Sequence, residues 1–300
     1  MRNNGGRPAL EKVEIRKYKC TFFGESGLNQ ELADRLGLKF PDAYMYAESM
    51  CKIALAVKEQ SGMGYCIVPF CHTIEAESMG GIINYGDAVN GPRPGGYVCE
   101  TADDLLKLPD IDFSKGRMSE VLRACQLLRQ QGEDVILQLT GPFTLLNSLM
   151  DSRHIFKLFR KQPDEMMAVL VFLERNLLSF ADAALKCGVN LLCYADPGGE
   201  VSIIGPERAV EFVKGFTYPL LKKIEDLIGG KAVTVLCPGT AFALIDTKAA
   251  VWGALNLGEV LPFSFACVRA VGKANFIGEV CMKNGKYMIK DGKLKTLELV

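Results

Sequence analysis

Residues 164–200 read DEMMAVLVFLERNLLSFADAALKCGVNLLCYADPGGE, and the change of rhythm inside this stretch decides the fold. Met166, Met167, Leu170, Leu173, Leu177, Ala181, Ala184 and Leu185 recur at helical spacing, which predicts a long amphipathic helix over 164–186. Asp164 and Glu165 beside Pro163 suit its N-terminus, where the helix dipole favours negative charge, and Gly188 ends it. The run that follows, Val189–Ala195, is nearly all apolar and too short for a second helix. It stops at Asp196-Pro197-Gly198-Gly199, as a strand buried on both faces stops at a turn.

The same unit recurs outward in both directions. Tyr65–Phe70 (YCIVPF), Val135–Leu139 (VILQL), Val233–Leu236 (VTVL) and Asn275–Val280 (NFIGEV) read as further strands, with Pro262–Ala266 (PFSFA) a weaker one. Helices are predicted over Ser119–Gln131 and over Glu207–Ile228, the latter behind Pro206, kinked at Pro219 and closed by Gly229-Gly230. Glu31–Arg35 and Ala47–Glu59 suggest a helical N-terminal extension over residues 1–60. Strands alternating with helices imply a parallel sheet, and 300 residues suit a single α/β domain, a (β/α)8 TIM-type barrel spanning 1–300. Only about six strands are clear by this reading. The barrel is therefore expected to be irregular, or to hide a strand in the polar stretch Gly80–Asp112.

Composition narrows the function. Hydrophobic residues make up 49% and charged residues 23%, with 35 basic side chains balancing 35 acidic ones. Such a chain can bury a large core but has no surplus of cations for phosphates, so neither nucleic acid nor membrane is expected as a partner. No apolar leader opens the sequence and no run reaches membrane-spanning length, so a cytoplasmic location is expected. The 11 cysteines are scattered, with no CxxC pair, and read as thiols.

In a parallel α/β sheet, ligands gather where the strands end. The residues there are Cys71, His72 and Glu75; Gly141 to Thr144; Asp196 to Glu200; Cys237 to Thr240; and Cys281 with Lys283. Thiols and an imidazole on one rim suit Zn²⁺. Asp196 and Glu75 are candidate acid–base groups, and His72, Gly141 and Thr240 candidate substrate contacts. Each has a plainer alternative: an inert buried thiol, a helix cap, a tight turn. No Walker A loop, GxGxxG turn, GxSxG elbow or HExxH helix is present.

The ordered motifs IVPFCHTIEAESMGG, LTGPFTLLNSL, ADPGGEVSIIGPERAVEFVKGFTYPLLKKI and VTVLCPGT resemble the uroporphyrinogen decarboxylase superfamily, over roughly residues 60 to 245. The resemblance implies a TIM barrel. It leans towards the corrinoid-linked methyltransferases, which move a methyl group between a cobamide carried by a partner corrinoid protein and a zinc-activated thiol. The decarboxylase branch brings an arginine-rich N-terminal motif and a catalytic aspartate after the first strand, where this chain has Cys71 and its neighbours. In the methyltransferase branch zinc sits on a His-x-Cys motif and a later cysteine. Cys237 and Cys281 match the two cysteines, and Val235 stands at the histidine position. The resemblance therefore implies a methyltransferase with Zn²⁺ on Cys237, Cys281 and a third group from Cys71, His72, Glu75 or Asp196. Cys71 and His72 are preferred as softer donors. Two alternatives stay open: a carboxy-lyase, and a non-catalytic barrel that binds a corrinoid protein.

Overall fold

The computed structural model describes residues 15, 16, 18 and 27–300. The first part of the expected N-terminal extension lies outside the described residues. Seven strands form the main sheet: β1 (Cys66–Val68), β2 (Val135–Thr140), β3 (Leu191–Ala195), β4 (Val233–Leu236), β5 (Ala250–Asn256), β6 (Phe276–Ile277) and β7 (Lys293–Leu299). Their spatial order is β1-β2-β3-β4-β6-β7-β5. Strands β1 to β4 and β6 run parallel, whereas β7 runs antiparallel to both β6 and β5.

Strand alternation splits the buried side chains into two layers. Leu137, Leu192, Tyr194 and Leu236 face outward into the larger core. There they meet helices Ala47–Ser61, Gly116–Gln130, Pro163–Lys186 and Tyr218–Ile228. Ile136, Leu191, Cys193, Val233, Val235 and Ile277 face inward, and the inner layer is completed by Phe263, Ala266, Cys267 and Ala270. These last four belong to helix Phe263–Ala270. A helix thus fills the inner face.

The expected strand Pro262–Ala266 is this helix, preceded by a two-residue strand Leu261–Pro262 that pairs with Met288–Ile289. Its bulky apolar residues satisfy either geometry, and packing on the inner face selects the helix. The Gly80–Asp112 stretch supplies no strand to the main sheet. It holds the short pair Ile83–Asn84 and Arg93–Pro94. The expected eight-stranded closed barrel is observed as a mainly parallel seven-stranded sheet, and among the described residues no ladder joins β1 to β5. The connection 278–292 carries no helix to cross over the sheet, so β7 returns reversed.

The helix expected at 207–228 runs as Pro206–Phe212, a π-helical turn Val213–Thr217, and Tyr218–Ile228. Pro219 has no N–H to bond back along an α-helix, and the wider turn just before it absorbs that gap. Among the described residues no helix is long and apolar enough to cross a membrane.

Candidate active site

Register puts the inner-face chemistry in a row. Gln138 of β2 pairs with Cys193 of β3, Cys193 with Val235 of β4, and Val235 with Ile277 of β6. One step further along, the Cys237 N–H bonds to the Tyr194 carbonyl at 2.9 Å, extending the ladder past the end of β4, and Cys237 opens helix Pro238–Asp246. Burial pushes the Cys193 thiol well above its ordinary pKa; the neighbouring Cys281, Cys237 and Cys267 thiols add to the rise and Lys283 opposes it. Cys193 and Cys237 thus share the inner face, and the Cys281 thiol is near enough to act on Cys193.

The loop bearing Cys281 is tied down from several sides. The Tyr65 hydroxyl donates to the Met282 carbonyl at 2.7 Å. The Ser264 hydroxyl donates to the Gly285 carbonyl and accepts from the Gly64 N–H, both at 3.0 Å. The Asn284 N–H closes the turn on the Cys281 carbonyl at 2.9 Å.

Met63, Ile67, Pro69, Phe70, Gln138 and Lys283 line a cleft. The Gln138 amide nitrogen donates to the Cys71 carbonyl at 3.0 Å and stands 3.1 Å from His72 Nδ1. An amide nitrogen has no lone pair to offer, so Nδ1 accepts and the ring proton sits on Nε2. Burial, then Lys283, push the His72 pKa down to about 3, which keeps the imidazole neutral. His72 is therefore an N–H donor at Nε2.

Cys71 and His72 part company at the end of β1. The Cys71 thiol accepts from the Thr73 hydroxyl at 3.2 Å and lies 3.6 Å from Arg117 Nη1, on the side of helix Gly116–Gln130. Arg117 is buried and bonds Glu77 Oε2 through Nε at 2.7 Å and the Thr73 hydroxyl at 2.9 Å. This network holds Cys71 away from the row of inner thiols.

Glu75 is fully buried, and its Oε1 accepts from the Thr140 N–H at 2.7 Å. Burial pushes its pKa up to about 7 against the pull of that hydrogen bond. Glu75 Oε2 and the Thr140 hydroxyl are both buried with no other partner, and a proton on Oε2 lets them satisfy each other.

Asp196 is also buried, and its oxygens are engaged by the second turn motif. They accept from the N–H of Phe143 at 3.2 Å, the N–H of Thr144 at 2.8 Å and the Thr144 hydroxyl at 2.8 Å. Asp196 thus caps helix Pro142–Leu149 from a neighbouring strand end. Gly141 is needed there, because a β-carbon on it would fall 2.2 Å from that of Asp196. Asp196 and Thr240 line one cavity together with Tyr194, Glu200, Phe212 and Thr217.

The structure thus distributes the expected site residues. Cys237 shares the inner face with Cys193, on whose thiol Cys281 acts, His72 stands beside the cleft residue Gln138, Asp196 and Thr240 share a second cavity, and Cys71 turns to Arg117. Sequence reading passed over Cys193, Gln138, Tyr65 and Arg117. A parity count along β3 was the available signal for Cys193, since Leu191, Cys193 and Ala195 share a face. Soft donors are present on the inner face, but among the described residues no three His, Cys, Asp or Glu side chains are grouped to hold a metal ion. As they stand, these side chains do not make a zinc shell.

Over 276 residues the chain is 25% identical to the methylcobamide:CoM methyltransferase MtaA of Methanosarcina barkeri, covering 91% of this chain and 80% of that protein. It is 28% identical over 221 residues to the methylcobamide:CoM methyltransferase MtbA of Methanosarcina mazei, covering 73% of this chain and 63% of that one. A solved methyltransferase from Methanosarcina mazei superposes with a TM-score of 0.63 at 24% identity, over 80% of this chain and 69% of the other, and shares the fold. Residues 11–265 match the family described as Uroporphyrinogen decarboxylase (URO-D), and the chain belongs to that family.

Proposed function

We propose that this protein is a corrinoid-linked methyltransferase, moving a methyl group between a cobamide held by a partner corrinoid protein and a small thiol acceptor such as coenzyme M. The observation that carries the reading is the pair of inner-face thiols Cys193 and Cys237, with the Cys281 thiol acting on Cys193, and a cleft lined by Gln138 and Lys283 whose Gln138 amide stands 3.1 Å from the neutral His72. Likeness to methylcobamide:CoM methyltransferases over 91% of the chain supports it.

The chemistry asks the protein to present a sulfur nucleophile in line with a methyl group. The new S–C bond forms as the Co–C bond breaks, the bonding pair stays on cobalt, and the thiol proton leaves to solvent. The apolar walls Met63, Ile67 and Phe70 would shield a bound acceptor from water, which favours attack by a desolvated sulfur. His72 Nε2–H and Lys283 suit the anionic end of an acceptor, His72 as a neutral donor that needs no proton exchange at working pH. Tyr65 and Ser264 tie down the 281–285 loop, so the position of Cys281 is set before the partners meet.

The test is transfer from methylcobalamin to coenzyme M and to uncharged small thiols, followed by loss of the methyl–cobalt absorbance. Transfer that falls about a hundredfold in Cys237→Ser is expected. Release of CO₂ from a carboxylated tetrapyrrole without methyl transfer would establish the carboxy-lyase reading instead. Tight binding of a corrinoid protein with neither reaction would make the chain a binding barrel.

A further inference from the structure

We propose that the cavity behind Tyr194, on the outer face of the sheet, is a site for one small monovalent cation of the potassium or ammonium kind. Tyr194 and Thr217 are buried, and they line this cavity with Asp196, Glu200, Gly239 and Thr240. The Tyr194 hydroxyl and Glu200 Oε1 are both buried with no hydrogen-bond partner, although the Thr217 hydroxyl is near enough to act on Tyr194. Leaving a buried polar atom bare is costly, so two of them in one lining point to a shared ligand.

The space admits about one ligand the size of a water molecule, a size that potassium and ammonium ions share. Charge separates the ion from water. The lining brings two carboxylates and no cationic side chain. Asp196 is held by the N–H groups of Phe143 and Thr144 and by the Thr144 hydroxyl. Burial, then the charge of Asp196, push the Glu200 pKa up, and the Ser202 side chain pulls the other way. A water supplies hydrogen bonds to such a group but no charge, whereas a cation supplies the charge. All the donors are hard oxygens, with three hydroxyls to two carboxylates. Among the described residues no three His, Cys, Asp or Glu side chains are grouped as a divalent ion asks, so a singly charged ion fits the lining better.

The site lies back to back with the inner-face thiols. Tyr194 follows Cys193 and faces the other way, and its carbonyl accepts the Cys237 N–H at 2.9 Å. Gly239 and Thr240 belong to the first turn of the helix that Cys237 opens. The π-helical turn Val213–Thr217 contributes Val213 and Thr217 to the wall, and such turns recur at functional sites. A bound cation therefore braces the end of β3, the π-helical turn and the start of helix Pro238–Asp246, and through that helix it fixes where Cys237 stands.

Two measurements on the full-length chain test the site, and neither uses methyl transfer, so their outcome is independent of the methyltransferase reading. Equilibrium dialysis against radioactive rubidium chloride, a potassium surrogate, should show one equivalent bound, displaced by potassium or ammonium chloride but not by choline chloride. Thermal unfolding at constant ionic strength should show Tm rising by roughly 2–4 °C to a plateau as potassium or ammonium replaces choline. Glu200→Gln and Tyr194→Phe should each weaken rubidium binding by about tenfold or more and flatten the Tm response. Thr217→Val takes the place of either variant that circular dichroism shows to be poorly folded. Thr234→Val removes a buried unpartnered hydroxyl elsewhere on the sheet and should leave both readouts unchanged. No rubidium retained, with equal Tm in all the salts, overturns the proposal and leaves the cavity to water. Rubidium retained with undiminished affinity by Glu200→Gln and Tyr194→Phe also overturns it, by placing the ion elsewhere.

Discussion

The hydroxyl of Tyr65 donates a 2.7 Å hydrogen bond to the carbonyl of Met282, across 217 positions of sequence. It joins the residue just before β1 to the loop that carries Cys281, and both groups are buried.

Replacing Tyr65 by Phe keeps the ring and deletes that donor, leaving a buried carbonyl without its partner. A loss of about 1–3 kcal/mol is expected. Urea unfolding should show a lower midpoint at unchanged slope, since the surface exposed on unfolding stays the same. An unchanged midpoint would mean that water replaces the hydroxyl and that the loop is held by Ser264 alone.

Gly141→Ala is expected to be among the most damaging single-methyl changes in the chain. The new carbon would stand 2.2 Å from Asp196 Cβ and 2.5 Å from its Cγ, and Asp196 cannot retreat without releasing Phe143 and Thr144. Overpacking of this kind costs roughly 3 kcal/mol. Thermal unfolding should show Tm down by several degrees. A variant that melts with the wild type would show the two strand ends to be free to separate.

Glu75 should make the protein less stable as pH rises. Its folded pKa, raised to about 7 by burial, lies above its ordinary value of 4.5. The folded state then holds the proton longer than the unfolded state, so stability is fully present below about pH 4.5 and declines as pH rises through about 7. Glu75→Gln keeps an acceptor for the Thr140 N–H and cannot ionise. The stability of the variant relative to wild type should therefore improve between pH 5 and pH 8, by roughly 2 kcal/mol. A difference that is flat with pH, measured by urea unfolding across that range, would refute a buried protonated Glu75.

Arg117→Met should be strongly destabilising, by about 3–5 kcal/mol, because it strands Glu77 without its cation and removes a donor from Thr73. Glu77→Gln in the same chain should recover a substantial part. The coupling measured in the double-mutant cycle separates a charge effect from lost packing against the Tyr85 ring, over which the Arg117 guanidinium lies at 5.4 Å. Additive losses would assign Arg117 to packing.

Much of this arrangement was legible in advance. The doubly buried strands around Val135, Leu191 and Val233 announced themselves as continuous apolar runs, and the structure places them at the centre of the sheet. Strand β7 did not, because it alternates Lys293, Lys295 and Glu298 with buried Leu294 and Leu297, and an edge-like pattern next to charges resembles a surface loop. Cys71 and His72 show the limit at the site. Adjacent residues at a strand end point to opposite sides, and only the packing of Arg117 on one side and Gln138 on the other tells which goes where. Cys193 was hidden for a related reason: in a strand buried on both faces, an inward thiol and an inert one look the same until the register of β3 against β4 is known.

The position of β7 has a consequence for how the molecule comes into being. Residues 293–299 lie between β6 and β5, pairing along the whole of β5 and with both residues of β6. During synthesis β5 leaves the ribosome more than forty residues before its partner among the described strands is complete. At about 5–20 residues per second it waits for several seconds with both backbone edges open. A chaperone that recognises unpaired extended segments would find a target there, around Trp252.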